Sequence, residues 1–125
     1  MKPLNIQIVD DSELTTKKLK QMLDKLGHNV IQVSSSGKVA IFDYSYVKPD
    51  VITMDITMPD MDGIEATRRL KAADKDVKII MVSAVTEKVK VMDAIRAGAV
   101  GYVTKPIEIE KLEIAIKRAY MHGKK

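Results

Sequence analysis

Five times along the chain, a short apolar run rich in β-branched residues is followed by a stretch whose apolar residues recur with helical spacing. That repeated change of period, from strand to helix and back, is the tightest constraint on the fold. Successive strands must lie parallel, with the helices as right-handed crossovers covering both faces of the sheet. The strand-like runs are residues 4–9, 29–33, 51–54, 77–82 and 100–104. The fourth is almost wholly apolar, as a strand covered on both faces should be. The expected fold is α/β, with a single doubly wound five-stranded parallel sheet and five helices, in one domain over residues 1–125.

Local signals place the helices. Ser12 is a plausible N-cap, and Thr15, Leu19, Met22, Leu23 and Leu26 fall on one helical stripe that Gly27 closes. A second helix is expected over 38–46, after the loop Ser34, Ser35, Ser36 and Gly37, and a third over 63–73. Thr86 is expected to cap the fourth, which carries Val89, Met92 and Ile95 and ends at Gly98. The fifth, over 108–120, presents Ile109, Leu112, Ile116 and Ala119 as its buried stripe and leaves Ile114 off it. His122, Gly123, Lys124 and Lys125 read as a frayed end or the start of a linker.

Composition removes several function classes. There are no cysteines, so disulfides, zinc thiolate sites and thiol catalysis are excluded. No apolar run approaches the ~20 residues of a membrane span. Met1, Lys2 and Pro3 lead straight into the first strand without a signal peptide, so the cytoplasm is the expected compartment. The net charge of +4 comes from 21 basic and 17 acidic residues, and the basic ones are dispersed. The densest group, Lys17, Lys18 and Lys20, reads as a solvated helix face rather than a nucleic-acid patch. At 4% aromatic content the chain offers few stacking platforms for bases.

Chemistry concentrates at one edge of the sheet. The third strand delivers Asp55 at its carboxyl end, where ligands bind in open α/β folds, and Pro59 and Gly63 bracket the loop that follows. Asp10 and Asp11 end the first strand, Ser83 the fourth, and Lys105-Pro106 the fifth. Taken singly, each has a bland reading: an acid or hydroxyl capping a helix, or a solvated lysine. Taken together, three converging carboxylates call for a cation, and a hard divalent ion such as Mg²⁺ suits them. With a lysine and a hydroxyl at the same edge, the set can bind a phosphoryl group carried on an aspartate.

In these motifs the chain resembles the receiver domain of two-component response regulators, over essentially its full length. They are Ile8-Val9-Asp10-Asp11, Met54-Asp55 with Pro59 and Gly63, Val82-Ser83-Ala84, and Gly101-Tyr102-Val103-Thr104-Lys105-Pro106. The resemblance implies the flavodoxin-like strand order 2-1-3-4-5. It implies Asp55 as phosphoacceptor, with Asp11, Asp55 and the backbone carbonyl of Thr57 as Mg²⁺ ligands and Asp10 acting through metal-bound water. Ser83 would bind a phosphoryl oxygen, Lys105 would pair with the phosphoryl group, and Tyr102 would turn inward as Ser83 moves. The Lys105–Pro106 peptide would be cis. Thr57 and Val85 would flank the path of the hydrolytic water, and Val85, unable to orient it, would prolong the phosphorylated state. Output would pass through the face of helix four, strand five and helix five, with Ile114 a candidate contact.

The expected function is therefore a phosphorylation-activated switch with no chemistry beyond its own phosphorylation and slow dephosphorylation. The chain has no G-x-x-x-x-G-K-[ST] loop for ATP, and His28 and His122 lie outside the acidic site. The donor would be a sensor histidine kinase or phosphotransfer protein, and the output a downstream protein target. No membrane or direct nucleic-acid binding is expected, and the chain would be a monomer or weak phosphorylation-dependent dimer. A stand-alone single-domain regulator is favoured over the receiver half of a longer DNA-binding or enzymatic regulator. An aspartate-nucleophile phosphatase would place a second Asp where Thr57 stands, and a flavin carrier would put Ser, Thr and Gly where Asp10 and Asp11 stand.

Overall fold

The computed structural model describes residues 2–122, so the expectation for Gly123, Lys124 and Lys125 lies outside the described residues. In chain order the elements are β1 (Asn5–Val9), α1 (Glu13–Lys25), β2 (Asn29–Ser34), α2 (Gly37–Val47), β3 (Val51–Met54), α3 (Gly63–Ala73), β4 (Ile79–Ser83), α4 (Lys88–Ala97), β5 (Gly101–Thr104) and α5 (Ile109–Met121). All strand pairs are parallel, and the sheet order is β2-β1-β3-β4-β5, as the resemblance implies.

Period-two alternation sorts the side chains into two layers. Ile6 and Ile8 of β1 join Leu19 and Leu23 of α1 and Leu112 and Ile116 of α5 on one face. Val9 joins Ile64 and Leu70 of α3 and Ala94 of α4 on the other, where α2 contributes Ala40. Every residue of β3 and β4 is buried, which explains why both are apolar except at Thr53 and Ser83. The edge strand β2 carries one extra residue, Ile31, where the register passes from Ile6↔Val30 to Gln7↔Gln32. Such a bulge twists an exposed edge away from pairing with another chain.

Several helix ends follow the local signals. The Ser12 hydroxyl accepts from the Thr15 amide at 3.2 Å, and Gly27 follows α1 at φ +85°. The stripe on α5 is buried at Leu112, Ile116 and Ala119, while Ile114 is exposed. The start of α4 is a correction. The helix begins at Lys88, with Glu87 rather than Thr86 at the N-cap and no side-chain cap bond. Its inward face is Ala94 and Ala97, while Val89, Met92 and Ile95 are exposed. Helical spacing identifies a stripe but not what the stripe faces. β4 also starts two residues later than residue 77, because the Val77 amide closes a turn on the Asp74 carbonyl at 3.1 Å.

At the opposite pole from the strand carboxyl ends, His28 is buried and its Nδ1 accepts the Leu4 amide at 3.0 Å. Burial holds its pKa below the ordinary 6.5, and the Glu113 carboxylate opposes that shift. The neutral ring is thus favoured in the folded protein, so its contribution is complete above the unfolded pKa and fades as pH falls through the folded one. In urea unfolding, the wild-type midpoint should drop between pH 7 and pH 5. His28→Asn, whose amide oxygen can replace Nδ1 as acceptor, should lose that component of the drop.

Candidate functional site

Register brings the chemistry together. Val9 pairs with Met54 and Ser83 with Thr104, so the residues that follow these pairs emerge at one edge. The ladder continues one step further: the Asp55 amide donates to the Val9 carbonyl at 2.9 Å, and the Lys105 amide to the Ser83 carbonyl at 3.0 Å. Asp10, Asp11 and Asp55 converge there, each offering a carboxylate oxygen within 4.8 Å of the others.

Lys105 crosses the cluster. Its Nζ lies 3.0 Å from Asp10 Oδ2 and 3.3 Å from Asp55 Oδ2. The remaining oxygens of both acids accept backbone amides, Asp10 Oδ1 from Ser12 at 2.9 Å and Asp55 Oδ1 from Ile56 at 2.8 Å. Asp10 and Asp55 are buried, whereas Asp11 is exposed and meets no partner among the described residues. Burial raises the Asp55 pKa and the Asp10 charge raises it further, against the pull of Lys105. Burial works to lower the Lys105 pKa, but its hydrogen bond to Asp10 and the two carboxylate charges outweigh it and the net shift is upward. The ammonium is therefore charged at any physiological pH. Three carboxylates thus share one lysine, a surplus of acidic groups over cations. That surplus, with hard oxygen donors and one free acid facing solvent, fits a divalent ion of the Mg²⁺ type.

Ser83 and Tyr102 share a partner in Val85. The buried Ser83 Oγ accepts the Val85 amide at 3.1 Å, and the Tyr102 hydroxyl donates to the Val85 carbonyl. Burial raises the Tyr102 pKa, so the phenol stays protonated and able to donate. The Val85 carbonyl as acceptor for Tyr102 was not readable from the sequence, because a main-chain contact leaves no mark on residue type. Thr57 is exposed in the loop after Asp55, and the Lys105–Pro106 peptide is cis.

These features meet in a known family. A family model for the response regulator receiver domain matches residues 6–117. The chain belongs to that family. A chemotaxis protein CheY of Bacillus subtilis strain 168 is 40% identical over 113 residues, 90% of this chain and 94% of that protein. A protein-glutamate methylesterase/protein-glutamine glutaminase of Trichodesmium erythraeum is 34% identical over 94% of this chain, which covers only 34% of that protein. Among solved structures, the CheX–CheY–BeF3–Mg complex of Borrelia burgdorferi superposes with a TM-score of 0.90 at 35% identity, covering 95% of this chain and 90% of that one. The receiver is thus a phosphorylation-activated response-regulator module. No helix among the described residues is long and apolar enough to cross a membrane.

Gly63, the first residue of α3, lies against the acidic strand end. A Cβ there would stand 1.9 Å from the Asp55 carbonyl oxygen and 2.8 Å from its carbon, both backbone atoms. Gly63→Ala should therefore lower unfolding stability by about 3 kcal/mol, at the upper end for overpacking, as read from urea unfolding. A loss within 0.5 kcal/mol, roughly the ordinary surface range, would show that the contact relaxes freely.

Proposed function

We propose that the chain, residues 1–125, works as one receiver domain in which Asp55 accepts a phosphoryl group from a phosphohistidine of a sensor kinase or phosphotransfer protein. The observation that carries this reading is Lys105 Nζ held between Asp10 and Asp55 at 3.0 and 3.3 Å beside a third acid. An Asp55 carboxylate oxygen attacks phosphorus, a P–O bond forms, and the P–N bond breaks with its electron pair passing to the imidazole nitrogen. The negative charge of the equatorial oxygens is met by the Lys105 ammonium and by a hydroxyl hydrogen bond from Ser83. Asp11, Asp55 and the Thr57 carbonyl would hold Mg²⁺, with Asp10 behind them, and the ion would supply further positive charge at the phosphoryl oxygens. A groove lined by Thr15, Lys18, Met22, Lys105, Pro106 and Ile107 gives a donor protein room to approach.

The signal leaves through the Val85 peptide. When Ser83 turns toward phosphate it gives up the Val85 amide, and the segment to which Tyr102 is tied is free to adjust. The adjacent face of α4, β5 and α5 exposes Val89, Met92, Ile95 and Ile114, a surface suited to a protein target. A second reading, the receiver half of a longer regulator, is supported by the methylesterase relative, of which a receiver-sized segment is only one part.

Intact mass after incubation with Mg²⁺ and acetyl phosphate tests the acceptor. Wild type should gain one phosphoryl mass, while Asp55→Asn should gain none and EDTA should abolish the gain. A gain in Asp55→Asn would move the acceptor elsewhere. Val85 is half-buried and has no group to orient a water. Val85→Glu should speed loss of phosphate about tenfold, below the ~10²–10⁴-fold of a fully positioned acid–base group. An unchanged or slower decay would remove Val85 as a determinant of phosphate lifetime.

A further inference from the structure

We propose that the first turn of α2 is a positioning backstop for the loop 55–62, that Gly37 makes the contact, and that Gln7 holds the turn in place. The inference rests on Asp55 as acceptor and concerns how the loop beyond it is kept in shape. A Cβ at Gly37 would lie 2.9 Å from the Met61 carbonyl oxygen, 3.1 Å from Met61 Cβ and 3.2 Å from Ala66 Cβ. The first of these is a main-chain atom and cannot swing aside. The start of α2 therefore presses on the backbone of the loop, with only a glycine's hydrogen between them.

That loop has no slack to absorb a push. Met61 is buried, and its amide donates to the Pro59 carbonyl at 2.8 Å. The Gly63 amide donates to the Ile56 carbonyl, also at 2.8 Å, which closes the loop at its base. Gly63 in turn packs on the Asp55 carbonyl. A displacement of Met61 is thus delivered to the peptides beside Asp55 and to Thr57, which lies within the closed loop.

On its other side α2 is tied into the sheet. Gln7 of β1 is fully buried, and its Nε2 donates to the Ala40 carbonyl at 3.2 Å and to Ser34 Oγ at 3.0 Å. The Ser34 hydroxyl donates to Asp43 at 2.6 Å, and Gln32 Nε2 donates to the same carboxylate at 3.1 Å. Gln7 Oε1 is buried without a partner. An amide in a core strand with one end unsatisfied costs stability that an apolar residue there would not. One donated bond holds α2 directly at Ala40 and the other reaches it through Ser34 of β2, whose hydroxyl bonds Asp43 of α2, and this is the gain that offsets the cost. Gln7 lies three residues before Asp10, so a single strand carries both the site acid and the anchor of the backstop.

The test compares wild type, Gly37→Ala, Gln7→Met and the exposed neighbour Lys38→Ala. Four quantities are read: Mg²⁺ affinity by titration calorimetry, phosphorylation rate with acetyl phosphate at saturating Mg²⁺, hydrogen exchange at the Ile56, Met61 and Gly63 amides, and the urea midpoint. Gly37→Ala should weaken Mg²⁺ binding and slow phosphorylation by about tenfold, the scale seen when outer-shell supports are disturbed, and should speed exchange at the loop amides. Gln7→Met, which keeps the volume and loses both Nε2 bonds, should move the same way, and Lys38→Ala should match wild type. A lower urea midpoint with wild-type Mg²⁺ affinity and loop exchange would mean a purely structural contact and overturns the proposal. A shift in Gly37→Ala alone overturns the part assigned to Gln7. If wild type takes no phosphate the acceptor reading fails, while Mg²⁺ affinity and loop exchange still decide the backstop.

Discussion

The Lys105 ammonium, wedged between two buried carboxylates, is the interaction on which the rest of the site depends. Asp10 and Asp55 are both withdrawn from water. Burial and the Asp10 charge raise the Asp55 pKa, and a proton there would cancel the proposed nucleophile. Lys105 opposes this for Asp55 by its charge, and is itself held protonated by the pair despite its own burial. The parallel register then has a chemical meaning. Lys105 is 95 residues from Asp10 in sequence, and the β1–β3, β3–β4 and β4–β5 pairings together bring their side chains to 3.0 Å. Such an ion pair, partly screened at the edge, is weak evidence for stability and good evidence for a site that must stay charged.

The strands and the site residues at their ends were legible in the sequence, because a buried parallel strand leaves an apolar run and its polar successor marks the edge. Asp10, Asp11, Asp55, Ser83 and Lys105 all reach that edge. The start of α4 was not legible. Thr86 has the chemistry of a cap, but the helix begins at Lys88 with no side-chain cap, so the local preference did not decide the boundary. Gly37 lay in a serine-rich stretch that reads as a loop, and nothing local distinguishes a flexible glycine from one required by a neighbouring backbone. Gln7 is harder still, since a polar residue in an apolar run declares its burial only when its partners on another helix are known.

The two layers are built differently. The face with α1 and α5 is filled by large aliphatic side chains, Leu19, Leu23, Leu112 and Ile116 among them. Across the sheet, the α4 end is lined by Ala94, Ala97 and Ala99. Each aliphatic side chain removed from water contributes about 1.5–3 kcal/mol, and an alanine methyl much less. The energetic weight of the core therefore lies away from α4.

The exposed apolar stripe of α4 has a consequence in these terms. A helix that turns Val89, Met92 and Ile95 outward and fully buries only Ala94 and Ala97 is fastened shallowly to its own molecule. Its first turn has no side-chain cap, and the segment before it is pinned by hydrogen bonds to the Val85 peptide. Segments with little buried apolar area open and shift at low free-energy cost. In the proposed switch, a modest rearrangement at Ser83 and Tyr102 would then be enough to re-aim this surface toward a partner.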